Sequence, residues 1–144
     1  MQDFVSTFRA SYERALGNGS YNVDFIQHFY DIFVSRSSEV RDLFQDTDMS
    51  KQKTMLHDSL AYMVEFFVAR RSSPHIEHIA RVHGPSHRNI PPYLYDLWVD
   101  CLVEAVRKFD PEFSKSTEIA WRLVLSPGIA YMKLAHSEEP AAQQ

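Results

Sequence analysis

Apolar residues recur three and four positions apart in almost every stretch of this 144-residue chain, and glycine, with four copies, is too scarce to mark many turns. That spacing lines one face of a helix. A strand needs strict alternation, and no alternating run bounded by turn residues occurs. Phe4, Phe8, Tyr12 and Leu16 form the first stripe, on a helix expected from about Asp3 to Leu16 and ended by Gly17-Asn18-Gly19-Ser20. A second helix starts near Val23, capped by Asn22 or Asp24, and runs to about Arg36 with Phe25, Phe29, Tyr30, Ile32 and Phe33 as a wide aromatic face. A short helix, Ser38 to Phe44, turns Val40, Leu43 and Phe44 inward. The polar corner 45–48 then offers a cap to a long helix from Met49 to about Arg70, whose stripe is Met49, Gln52, Leu56, Leu60, Met63 and Phe67.

The stretch from Pro74 to Pro85 carries its own start and stop. Proline is at home in a first helical turn, where its missing N–H has no partner to lose, and Ser73 before it can cap. Gly84 is expected to supply a left-handed C-terminal residue, and Pro85 forbids continuation. On this helix Ile76, Ile79 and His83 share one face, so the imidazole is aimed inward. An inward histidine is commonly a core residue bonded to a backbone carbonyl. It can also be a metal ligand, when one ring nitrogen donates to a carbonyl such as that of Ile79 and leaves the other free.

After an irregular link, 84–89, Ile90 and two prolines lead into a helix from Pro92 to Phe109 with Tyr95, Trp98, Leu102, Ala105 and Val106 on its apolar side. Asp110-Pro111 marks a turn. The last helix carries Phe113, Ile119, Trp121, Val124 and Leu125, is expected to kink or lose a hydrogen bond at Pro127-Gly128, and continues through Ile129, Met132 and Leu134. The expectation is therefore an all-α fold of about seven helices packed in crossed pairs, a single domain over 1–144 with a frayed tail at 138–144.

Composition narrows the function classes. Hydrophobic residues are 44% and aromatics 13%, enough for a packed core and for an apolar ligand pocket. A net charge of −4 without a basic stripe gives no footprint for nucleic acid. Cys101, the lone cysteine, excludes an internal disulfide and a cysteine zinc site, and reads as an inert core thiol. No cationic leader precedes an apolar run and no stretch of about 18 apolar residues occurs, so a cytoplasmic protein with no membrane partner is expected.

Particular residues narrow the fold further. Phe44 closes Val40-Arg41-Asp42-Leu43-Phe44, and Tyr30 precedes it in His28-Phe29-Tyr30. Gln52 and Leu56 lie on the next helix, His83 ends Ile79-Ala80-Arg81-Val82-His83, and Tyr95 follows Ile90 by five. Taken together, over about residues 3–136, this ordered set resembles the globin family, most of all the bacterial single-domain globins and the haem domain of flavohaemoglobins. The resemblance implies a b-type haem between the Gln52 helix and the His83 helix, with His83 as the proximal iron ligand. It implies that Phe44 wedges against the porphyrin, that Tyr30 and Gln52 face the sixth coordination position, and that Leu56 crowds it. Ile90, Tyr95 and Trp98 would line the proximal and inner side.

Each residue also has a plainer reading. Phe44, Leu56 and Trp98 suit the core of any helical domain, and Tyr30 could be a core tyrosine with its hydroxyl on a backbone carbonyl. Gln52 is harder to place so, since a buried amide on an apolar stripe needs partners. Sliding the match by one residue would bring Lys53 over the iron and His57 inward as an internal sixth ligand. Tyr95 matches the tyrosine of the proximal network of flavohaemoglobins, and Glu138 falls at the place of its glutamate. His87 could meet a haem propionate or be solvated.

The implied function is tight binding of O2, with NO and CO as further ligands, for storage, scavenging or NO dioxygenation, with weak peroxidase-like activity also conceivable. Without a flavin or nicotinamide fingerprint in the sequence, turnover would need an external reductase. A haem-based gas-sensor domain and a haem-free helical interaction module are the competing classes, and the oligomeric state is open.

Overall fold

A computed structural model describes residues 3–17 and 22–138, apart from the side chain of Glu138. Seven helices follow in order: α1 (Phe4–Leu16), α2 (Val23–Arg36), α3 (Ser38–Leu43), α4 (Met49–Ala69), α5 (Pro74–His83), α6 (Tyr93–Phe109) and α7 (Lys115–Glu138). Among the described residues there is no strand. Of the tail expected to fray at 138–144, Glu138 ends α7 and 139–144 lie outside the described residues, as do Asn18, Gly19 and Ser20 of the first turn.

The starts follow from side-chain chemistry. Asp3, Asn22, Ser37, Asp48 and Ser73 each accept one or two of the amide hydrogens that the first turn of a helix cannot use itself. Ser114 and Thr117 cap α7 reciprocally, each accepting the other's backbone N–H. At the ends, Gly17 takes φ 96°, which costs a glycine little, and Arg70 closes α4 in a left-handed conformation.

One expectation is corrected. Gly84 is not left-handed: its φ of −75° and ψ of 175° are extended. The residue before a proline is pushed to extended backbone by the proline ring, and Pro85 outweighs the freedom of the glycine. Helix α7 continues through Pro127, which has no N–H to donate to the turn before it.

That packing makes α7 the centre of the fold. Helices α1, α4, α5 and α6 all lie against it, and α2 lies across α6. Phe8, Phe25, Phe29, Leu60, Leu102 and Trp121 fill the core between them. Cys101 is fully buried there, and burial pushes its thiol up to about 11, an unreactive state at neutral pH. No helix among the described residues is long and apolar enough to cross a membrane.

Gly128 sits where α7 meets α4. A Cβ there would lie 2.7 Å from Cε and 3.1 Å from Cγ of Met63. The methionine tip can shift, and alanine gains about 1 kcal/mol of helix propensity over glycine. Gly128→Ala is therefore expected to leave the urea midpoint nearly unchanged. Gly128→Val, with two further methyl groups to place, should cost about 1–3 kcal/mol. Equal stability of the two variants would show that the contact is slack.

Candidate functional site

A cleft lies between α4 and α5, with residues of α6 at its base. It opens to solvent at the mouth, and its walls are mostly apolar, as those of small-molecule and cofactor sites are. Gln52, Leu56 and Met63 come from one wall, Ile79 and His83 from the facing one, and Tyr95 and Trp98 from the floor.

His83 is held by its own helix. Its Nδ1 lies 2.7 Å from the carbonyl oxygen of Ile79, one turn back. A carbonyl only accepts, so Nδ1 carries the hydrogen and Nε2 is left with a lone pair and no protein partner among the described residues. Burial lowers the imidazole pKa, opposed by the Ile79 carbonyl and aided by the charge of Arg88. The ring is therefore neutral at physiological pH, the form that binds metals. The chain after α5 fixes this end of the helix: Ile90 N–H donates to the His83 carbonyl at 2.9 Å and Arg88 N–H to that of Val82 at 3.1 Å. Asn89, at φ 51°, makes the reversal.

Gln52 and Leu56 both line the cleft, one helical turn apart. Lys53 turns away, and its ammonium donates to Gln27 Oε1 at 2.5 Å. His57 lies 3.5 Å from the Asp58 carboxylate and is not part of the cleft wall. Phe44 stands at the α3–α4 corner and lines the cleft as well.

Tyr30 is buried but reaches the cleft indirectly. Its ring packs edge-on against Phe44, centroids 5.7 Å apart, and against Phe29 at 4.9 Å. Its hydroxyl donates to the backbone carbonyl of Gln52 at 3.2 Å, and the side chain is not among those lining the cleft. Burial pushes the phenol up to about 12, with the neighbouring Gln52 side chain acting in the opposite sense. At neutral pH it is a donor held in reserve behind Gln52.

On the floor, the ring of Tyr95 is 6.3 Å from that of His83, tilted by 51°, without a hydrogen bond between them. Burial pushes its phenol up to about 12. Ile90 and Trp98 complete this side, the indole edge-on to Phe29 at 6.2 Å. The Glu138 side chain lies outside the described residues. His87 is exposed and lies off the cleft wall, whereas its neighbour Arg88 lines the mouth.

Several lining residues escaped the sequence reading: Phe33, Val40, Val82, Ile129 and Met132 line the cleft beside Arg88. The apolar ones have the helical spacing of any core residue, so nothing marked them as cavity walls. Arg88 lies in an irregular link with no periodicity to orient it.

Among the described residues no three His, Cys, Asp or Glu side chains gather as a metal site. A metal held by Nε2 of His83 would take a single ligand from the protein and bring the others with it. A flat apolar chelate is the kind of group that satisfies both this and the lining of the cleft.

No family model matches the chain, and no curated protein matches it. A solved structure does: a protein of Pseudomonas aeruginosa PAO1, described as structurally highly homologous to a human hemoglobin. It is 30% identical in sequence, aligns with a TM-score of 0.86, and the match covers 93% of this chain and 98% of that one.

Proposed function

Because this chain belongs to the globin family, we propose that it is a haem protein of b type in which His83 would hold the iron and which binds O2, NO or CO. Haem supplies an iron with one exchangeable axial position where small diatomic ligands bind. The observation that carries the reading is the orientation of His83, with Nδ1 on the Ile79 carbonyl and Nε2 without a protein partner in an apolar cleft.

The chain's own residues do the rest. Phe44, Leu56, Ile90 and Trp98 present apolar surface to the faces of the macrocycle and keep water out. Arg88 at the mouth offers a cation to its carboxylates. Gln52 extends an amide N–H₂ into the cleft, where it can donate to a ligand that gathers negative charge. Tyr30 supports Gln52 from behind, and its hydroxyl becomes a second donor if it leaves the Gln52 carbonyl.

Hydrogen bonds to charged acceptors contribute about 1.5–3 kcal/mol each, which is roughly ten- to hundredfold in a dissociation rate. Slow O2 release is the result, suited to storage, scavenging or NO dioxygenation and poorly suited to bulk transport. NO dioxygenation would combine O2, NO and one electron into nitrate, and an external reductase would have to resupply that electron. As a test, haemin added to the purified protein should give an intense Soret band. O2 release followed by stopped flow should then quicken roughly tenfold or more in Gln52→Leu and in Tyr30→Phe. No Soret band would overturn the haem reading, and unchanged rates would overturn the role of the two donors.

A further inference from the structure

The cations of this chain are unevenly placed. Residues 70–89 hold Arg70, Arg71, Arg81 and Arg88 against Glu77 alone, within a chain whose net charge is −4. All four guanidinium groups belong to exposed residues. None has a carboxylate within ion-pair distance among the described residues, and Glu77 is bonded to the Ser72 hydroxyl at 3.0 Å rather than to an arginine. Elsewhere some cations are paired and others are not. Arg14, Arg36, Arg107, Arg122 and Lys133 are each paired with an aspartate or glutamate.

The unpaired arginines follow α5, the helix that carries His83, from its approach at 70–71 to the turn beyond its end. Arg88 both belongs to this face and lines the mouth of the cleft. His75 and His78 are exposed on the same helix. Like charges gathered in this way build a positive field beside the cleft mouth.

We propose that the α5 face is the docking surface for an acidic one-electron carrier, an iron–sulfur or flavin protein whose negative face meets Arg70, Arg71, Arg81 and Arg88. The inference rests on the haem reading above. A site that loses one electron per cycle needs a donor at its open edge, and this edge is where the positive field lies. One electron passes from the reduced carrier to ferric iron, the carrier is oxidised, and no bond is made or broken. Charge steers the encounter and sets the orientation, and it raises the association rate more than it prolongs the complex.

The experiment is calorimetric titration of the full-length protein with a plant-type [2Fe–2S] ferredoxin at about 10 mM ionic strength, where the Debye length is about 30 Å. Binding is expected, and it should weaken steeply at about 150 mM, where that length is about 8 Å. Arg70→Glu/Arg71→Glu/Arg81→Glu should weaken binding at least tenfold. Arg9→Glu/Lys108→Glu/Lys115→Glu, with the same change of net charge on other faces, should do so less than threefold. Circular dichroism of both triple variants confirms that they are folded. Equal weakening by the two would overturn the proposal, and so would no binding to ferredoxin. Tighter binding to duplex DNA or to anionic phosphatidylserine vesicles than to ferredoxin overturns it too. This titration needs no haem, whereas the Soret test above needs no carrier, so failure of one is distinguishable from failure of the other.

Discussion

His83→Ala is expected to abolish stable haem binding. The variant removes the only imidazole that lines the cleft among the described residues, since His57 and His87 do not line it. What would remain is burial of an apolar macrocycle, which holds it without fixing the iron. Losing a group that merely orients a metal ligand costs about 10–100-fold in affinity, so losing the ligand should exceed that. The measurement is haem transfer to a scavenging apoprotein, with ferric, ferrous and CO-bound spectra alongside. Free imidazole added to the variant should occupy the space left by the ring and restore the ferrous-CO spectrum. That rescue separates a missing ligand from a collapsed fold. Wild-type spectra in the variant would place the ligand elsewhere and overturn the assignment of the site. Tyr95→Phe should leave the axial ligation unchanged, because its ring touches His83 without a hydrogen bond.

What the sequence disclosed follows the range of the forces involved. Helix starts depend on a side chain and an amide two or three residues away, so Ser73 and Pro74 could be read directly and the cap of α2 was narrowed to Asn22 or Asp24. The inward aim of His83 and its bond to Ile79 are likewise events within a single helical turn. Gly84 was misjudged because two local rules compete there, and the constraint from Pro85 is the stronger. The direction of the Tyr30 hydroxyl was not legible. Its position on an aromatic face fits the cleft and the core equally, and its partner, the carbonyl of Gln52, lies on another helix. The back wall of the cleft was hidden for a related reason. Ile129 and Met132 follow the same helical period as the core residues Val124 and Leu125, and only the cleft between α4 and α5 turns that surface into a cavity wall.

The largest feature that no local pattern announced is a buried polar cluster far from the cleft, and it carries the second large effect. Asp110, expected only to mark a turn, closes α6 with a fully buried carboxylate. Ser11 Oγ donates to Oδ2 at 2.7 Å, Arg14 Nε to Oδ1 at 2.5 Å and Arg14 Nη2 to Oδ2 at 3.0 Å. The Glu112 N–H adds a bond to Oδ1 at 2.9 Å. Trp121 Nε1–H in turn donates to Ser11 Oγ at 2.9 Å, so one carboxylate aligns donors from α1 and, through Ser11, from α7. Asp110→Ala leaves a buried hydroxyl and a guanidinium without their acceptor. Breaking a buried pair costs about 3–5 kcal/mol, and the partial exposure of Arg14 reduces this to about 2–4 kcal/mol. Each kcal/mol is roughly 2–4 °C of melting temperature at this chain length, so a drop of about 5–15 °C is expected. The effect has a pH signature. Burial acts to raise the Asp110 pKa, but Arg14, Ser11 and the Glu112 amide outweigh it and the net direction is down. A folded pKa below the unfolded one contributes stability that is complete above about pH 4 and is lost as pH falls through the folded value. The difference in unfolding free energy between wild type and Asp110→Ala, from urea titrations, should therefore be flat between about pH 5 and 7 and shrink below about pH 4. A difference that stayed constant into that acid range would mean that the carboxylate contributes by its shape alone, and that its charge does not hold α1 to the end of α6.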